Sequence, residues 1–436
     1  MTNCRSKCMM ASEGLEDRIS NLPSGIIDRI LEYMSVRDAA RTSILSRKWR
    51  DFWPMHSKLI FDEHTFRVIR HGVLLKPDNQ IDKIINKILL QHMGPIVKFL
   101  LDLSYINSAR YSDVDQWMFF LSRNGVQELS LLYSKLTGKY YRLPSYVFSS
   151  SSLEHLALHK VIIKPLACIF MGNLTSLSFK NVKFESSSSE GYSSCLRTPQ
   201  LKRLSIEICN GIHHLEIVAR SLEVLTIYSS AARCIGFLNP NIKEFNFAWR
   251  REVPTKHGFH LLSRLLAKLP KIQILHFDGF FLKYLAGGHT PSELPRTAEG
   301  LEYLKLDDLN FKDLDQIATV ISLLQSCPNL CILDLKVSSR IITYGDAVLN
   351  YLNTPNCMKH NLIKRKTLRL YLYQNPVEEL ILLKLLLARS PSLVKIIIEE
   401  TRHMDSVEGF RIARELLGFS RASPNANIIW NRCKTS

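Results

Sequence analysis

No apolar run in the 436 residues reaches the roughly 18 that a bilayer span requires. The closest stretch, Ile381–Ala388, is short and broken by Lys384. The segment Met1–Met10 is polar and lacks the apolar run of a secretory signal. None of the ten cysteines forms a CxxC pair. The spacings Cys4/Cys8 and Cys327/Cys331 have no second pair to complete a zinc site. Also missing are a GxxxxGK[ST] phosphate loop, a GxGxxG after a strand and a GxSxG elbow. His155 and His159 are four apart, but they lie on an extended stretch with no Glu after His155, so they are not an HExxH zinc helix. These absences predict a soluble intracellular protein with reduced thiols. They assign no catalytic residue, no cofactor and no metal ligand.

The chain is 46% hydrophobic and 22% charged, an ordinary globular composition with ample material for a core. Its net charge of +17 raises a nucleic-acid reading. The excess concentrates only in residues 351–436, where Lys359, Lys364, Arg365, Lys366 and Arg369 follow one another without an acid. No zinc-finger, RNP or zipper pattern accompanies them, and they read as a solvated face.

From Asp17 the chain runs DRISNLPSGIIDRILEYMSVRDAARTSILSRKWRDFW. Leu22-Pro23 makes a stiff start, and Ile26, Ile27, Ile30, Leu31 and Met34 then recur at helical spacing. A break at Ser35–Asp38 leads into a second short helix. Ser46 is placed to cap a third, in which Trp49 and Trp53 share a face. A module this small cannot bury so many large apolar residues and calls for a partner.

The Leu22-Pro23 opening, the Ile30-Leu31 pair, the run Arg41–Ser46 and the Lys48-Trp49-Arg50 end resemble an F-box of the plant type. The resemblance implies a three-helix module over residues 16–60, after a disordered 1–15. Such a module docks on a Skp-type adaptor and, through it, on a cullin–RING ubiquitin ligase. By the same resemblance, Leu22, Pro23, Ile30, Leu31 and Trp49 are adaptor contacts.

Beyond residue 90 an apolar-x-x-apolar-x-apolar phrase returns ten times, from Ile96/Phe99/Leu101 to Leu330/Leu333/Leu335. The starts are 20 to 30 residues apart. This is the rhythm of a leucine-rich-repeat solenoid, whose strands bury their apolar faces only when stacked. Longer intervals predict helices through Val114/Trp117/Leu121, Leu262–Leu269 and Leu314–Leu324. Shorter intervals predict turns or 3₁₀ pieces. Loops are expected at Glu185–Ser194 and Ala286–Gly300. The asparagine that usually follows the repeat strand is replaced by apolar residues such as Val161, Val182 and Leu309, so the solenoid (residues 61–354) should be irregular.

Strand alternation places Glu244, Asp278, Tyr303, Lys305, Asp307, Ile332, Asp334 and Lys336 on the concave face. Along all repeats that face carries five basic and seven acidic residues, unlike a phosphate-tracking groove. The eight residues are the expected target-protein contacts, which argues against nucleic acid.

Residues 355–436 continue with a strand at Leu368/Leu370/Leu372, a helix over Val377–Ala388, a strand at Leu393/Ile396/Ile398 and a helix lined by Phe410, Ala413, Leu416 and Leu417. The end, Ser420–Ala426 leading into Ile428-Ile429-Trp430, resembles the FBD domain of plant F-box proteins and reads as a cap on the solenoid. The fold class expected is α/β: a three-helix F-box, an irregular leucine-rich-repeat solenoid and an FBD-type C-terminal cap. The resemblance implies a non-catalytic substrate-receptor subunit of a Skp–cullin–F-box ligase, in nucleus and/or cytoplasm. The alternative is an adaptor-bound regulatory or scaffold protein without ligase output.

Overall fold

The computed structural model describes residues 19–72, 81–135, 138–164, 168–185, 192–228, 234–237, 241–249, 266–286, 298–338, 346–354, 357–372, 376–400 and 405–432. The expected disordered start, half of the Leu262–Leu269 helix, most of the Ala286–Gly300 loop and residues 186–191 of the Glu185–Ser194 loop lie outside them. The chain divides into two compact units, Met1–Lys139 and Tyr140–Ser436.

The first unit opens with helices Ser24–Glu32, Val36–Thr42 and Arg47–Phe52. Each is far below the length at which a helix is stable alone, so packing must hold them. Ser35 and Ser46 cap the second and third, accepting from the backbone N–H of Asp38 at 3.1 Å and of Trp49 at 3.4 Å. Ile27, Leu31, Ala39 and Trp49 form the core, with Leu22, Met34 and Phe52 packed against it. The chain then enters a parallel ladder of strands Lys58–Phe61, Lys98–Asp102 and Glu128–Leu132. Helix Tyr111–Arg123 buries Val114, Trp117, Met118 and Leu121 and ends before Gly125, whose φ of +70° suits a glycine.

In the second unit the repeat strands pair in parallel, in chain order. They are His155–His159, Ser176–Lys180, Arg203–Glu207, Val224–Tyr228, Glu244–Ala248, Ile274–Asp278, Tyr303–Leu309 and Ile332–Val337. Strands Thr367–Leu372, Lys395–Glu400 and Asn427–Asn431 extend the same ladder, so residues 355–436 lengthen the solenoid. Leucines one strand apart stack in register, as Leu304 does on Leu275 and Leu333.

The far side differs from expectation. A 3₁₀ turn does occur at Ser145–Ser149, but the short repeats mostly return in strands. Tyr141–Leu143, Val161–Ile163 and Lys183–Phe184 make one small parallel sheet. Cys168–Phe170, Tyr192–Arg197, Ile212–Val218 and Cys234–Phe237 make another. Extended chain advances about 3.3 Å per residue against 1.5 Å for a helix, so a repeat of some 20 residues closes its circuit only in strand form. The long repeats do carry helices, Leu314–Ser326 and Val377–Arg389 among them.

Val161, Val182 and Leu309 are buried, as the missing asparagines imply. The residue before each, Lys160, Asn181 and Asp308, takes a positive φ, and Ile208 does so ahead of buried Cys209. The corner after the strand is therefore made by a left-handed residue. Helix Ser406–Leu417 buries Gly409, Ile412 and Leu416. Phe410 and Leu417, expected inside, are 74% and 72% exposed, because Ile412 and Leu416, four apart, fix the helix's phase.

Candidate protein-docking surfaces

The three-helix module sorts its apolar residues by helical phase. Ile27 and Leu31 point inward. Ile26, Ile30 and Tyr33, at i, i+4 and i+7, make an exposed stripe above the exposed Pro23. Ile44 and Leu45, after the second helix, are exposed as well. Of the five expected adaptor contacts, Pro23 and Ile30 are at the surface and Leu22 is half-buried. Leu31 and Trp49 are 1% and 2% exposed, because both fill the module's own core. They shape the face from beneath. Tyr33, Ile44 and Leu45 are exposed too, which spacing alone does not reveal, since it does not tell an outward residue from an inward one.

On the repeat strands the register assembles the second surface. Glu244, Ile274, Tyr303, Ile332 and Thr367 lie in one row across five strands. His276, Lys305, Asp334 and Arg369 lie in the next, and Asp278 beside Asp307 follows. These rows also hold His276 and Arg369, which the sequence reading left out. The alternation of Leu275 with Phe277, and of Leu368 with Leu370, was the available signal for both.

Two hydrogen-bonded chains tie these rows together. Tyr228 meets His276 Nδ1 at 3.0 Å, and His276 Nε2 lies 2.7 Å from Asp307 Oδ2. The Lys305 ammonium reaches the same oxygen at 3.0 Å. Burial opposes ionisation of Asp307, but the His276 hydrogen bond and the Lys305 charge outweigh it and hold the carboxyl below its ordinary value. In the second chain Tyr303 donates to Asp334 Oδ2 at 2.7 Å and Arg369 Nη1 donates to it at 2.8 Å. Burial, then the Asp334 carboxylate, pushes the Tyr303 hydroxyl up, so it stays a donor.

These contacts revise two expected target contacts. Asp278, 1% exposed, accepts from the Phe281 N–H at 3.0 Å and caps helix Gly279–Ala286. Only glycine fits at the start of that helix, since a Cβ on Gly279 would stand 2.3 Å from the Asp308 carbonyl. Asp334, 2% exposed, is an anchor beneath Tyr303 and Arg369. The half-buried Glu244, Tyr303, Lys305, Asp307 and Lys336 and the exposed Ile332 remain presented. An open cavity of about 370 Å³ lies between Tyr228, His276, Phe280, Lys305, Asp307 and Lys336. The surface is amphipathic, with its charges largely paired. Among the described residues no group of His, Cys, Asp and Glu is arranged to hold a metal, and no helix is long and apolar enough to cross a membrane.

A capped three-helix module followed by stacked parallel strand repeats defines an F-box protein with leucine-rich repeats. Residues 19–61 match the family described as the F-box domain, and residues 88–286 match that described as the At1g61320/AtMIF1 LRR domain. F-box/FBD/LRR-repeat protein At1g13570 of Arabidopsis thaliana is 32% identical over 329 residues, covering 74% of this chain and 76% of the relative. FBD-associated F-box protein At4g10400 of Arabidopsis thaliana is 24% identical over 329 residues, covering 72% and 76%. F-box/LRR-repeat protein At3g26922 of the same plant is 26% identical over 242 residues, covering 53% and 74%. The chain belongs to the F-box/FBD/LRR-repeat family.

Proposed function

We propose that the protein is a substrate-receptor subunit of a Skp–cullin–F-box ubiquitin ligase, acting in the nucleus or cytoplasm. The observation that carries this reading is the exposed Ile26/Ile30/Tyr33 stripe on a module that matches the F-box domain. An apolar stripe on so small a module is partner-binding area. The repeats would hold a target protein on their concave rows. Catalysis is then proximity: the receptor raises the local concentration of target lysines around a ubiquitin-charged enzyme and makes no bond itself. Paired acids and bases along the concave rows favour a protein target over nucleic acid.

The test is co-purification of a Skp-type adaptor and a cullin with the full chain and with Ile30→Lys. A point change is preferable to deleting residues 1–60. Val36, Ala40, Ile44 and Trp53 share a groove with Phe61, Ile84 and Ile88, and deletion would open it. The proposal expects both partners with the wild type and neither with the variant. Adaptor without cullin would favour the scaffold reading, and undiminished capture by a folded Ile30→Lys would remove the adaptor assignment.

A further inference from the structure

The ladder's last strand, Asn427–Asn431, pairs with Lys395–Glu400 along one edge, and among the described residues no strand pairs with the other. Free edges are ordinarily blunted by Lys, Pro or a bulge. The first strand of the N-terminal unit, Lys58–Phe61, carries a lysine and is packed by helices Val36–Thr42 and Glu63–Gly72. Strand Asn427–Asn431 has no such guard. It reads Asn-Ile-Ile-Trp-Asn, with no charge in a chain of net +17. Asn427 and Asn431 are exposed, and Arg432, just past the strand, reaches Glu400 at 3.7 Å. Trp430 Nε1 donates to Glu400 at 3.1 Å and Asn431 Nδ2 donates to Glu399 at 3.0 Å. Ile428, Ile429 and Trp430 stay half-exposed, and Val407, Phe410 and Leu417 of the preceding helix are exposed.

We propose that this edge is a homodimer interface, in which the strand pairs antiparallel with the same strand of a second copy. The sequence is self-complementary under a two-fold axis at Ile429. Asn427 falls opposite Asn431, Ile428 opposite Trp430, and Ile429 opposite itself. In an isologous contact residue i meets j and j meets i, and here polar faces polar and apolar faces apolar at every pair. The faces also agree. Ile428 and Trp430 continue the core row of Ile396 and Ile398, while Ile429 continues the concave row of Ile397. Pairing would therefore join two cores and two concave faces in one sheet. Arg432 would fall opposite Ala426, so no like charges meet. The assembly would carry two F-box modules and two target faces.

The experiment is sedimentation equilibrium of the full chain over about a hundredfold range of concentration. The wild type should show a monomer–dimer equilibrium. Ile429→Lys, which sets two lysines against each other on the axis, should be monomeric throughout, with the unfolding midpoint of the dissociated wild type. Ile429→Cys should form a disulfide-linked dimer under mild oxidation, beyond the wild-type background, whereas Leu90→Cys, exposed on helix Ile81–Gln91, should not. A wild type that is monomeric at every concentration overturns the proposal, as does a folded Ile429→Lys that still dimerises. Should Ile429→Lys fail to fold, absence of the Ile429→Cys cross-link overturns it. Adaptor binding is a separate readout, so neither result bears on the receptor assignment.

Discussion

Arg365 stands in its repeat where Leu330 stands in the preceding one. Ile332 pairs with Thr367 and Thr367 with Lys395, so the residues two positions earlier, Leu330, Arg365 and Leu393, stack in one core column. Their exposures are 2%, 1% and 2%. No nitrogen of the Arg365 side chain beyond the backbone has a hydrogen-bond partner among the described residues. Burial pulls its pKa down to about 10, against a small opposing pull from Cys327. In the sequence it was one member of a solvated basic run. The ladder places it in a leucine's seat. An unpaired buried charge is destabilising, and an apolar replacement of similar volume relieves it. Arg365→Leu should raise unfolding free energy by about 1–4 kcal/mol in urea titration. An unchanged or lowered midpoint would show that the guanidinium has found a partner.

Glu379 supplies a pH-dependent term. Burial in the first turn of helix Val377–Arg389, reinforced by the neighbouring Glu378 carboxylate, raises its pKa from 4.5 to about 7. Between those values the native chain keeps a proton that the unfolded chain has lost. Its contribution is therefore present below pH 4.5, declines as pH rises and is gone above pH 7. Glu379→Gln should abolish that decline and exceed the wild type at pH 8 by roughly 1–3 kcal/mol. Unfolding midpoints of both proteins across this range provide the check.

Ile208 is the costly member of the left-handed corners, with φ of +54° on an exposed β-branched residue. A left-handed residue costs about 1–2 kcal/mol, least for Asn, Asp and Gly. Asn181 and Asp308 already occupy equivalent corners at φ +51°. Ile208→Asn should stabilise by about 1 kcal/mol, and Ile208→Gly by less, because glycine loses more freedom on folding. Denaturant midpoints of the two variants rank them.

The repeat strands were legible because each has one buried face, so Leu304 and Leu306 alternate with Tyr303, Lys305 and Asp307 as in the fold. The strands on the far side were not, because Val161–Ile163 and Tyr192–Arg197 reach their partners only through the stacking of whole repeats. In the concave surface, alternation names which residues face out but not which carboxylates are used internally. Asp278 caps a helix and Asp334 anchors two neighbours, and nothing local in sequence marks either. In the F-box module, periodicity collects Ile26, Ile27, Ile30 and Leu31 without saying which pair faces in. Only the packing of Trp49 and Ala39 on Ile27 and Leu31 decides it.

The concave surface offers a test that separates presentation from scaffolding. Ile332 is exposed, and Lys336 lies over the Tyr371 ring at 6.0 Å and makes no ion pair among the described residues. Neither holds the hydrogen-bonded chains together. The double variant Ile332→Ala, Lys336→Ala should leave folding and adaptor capture intact. It should lower capture of the target at least about tenfold, the loss of a modest hot spot, in affinity purification with the proteasome blocked. Asp334→Ala should do the reverse in kind: it strips Tyr303 and Arg369 of their shared acceptor, leaves Arg369 with Glu399 alone at 4.0 Å, and costs about 1–3 kcal/mol of stability. Undiminished capture by the folded double variant would move target recognition off these rows and onto another part of the chain.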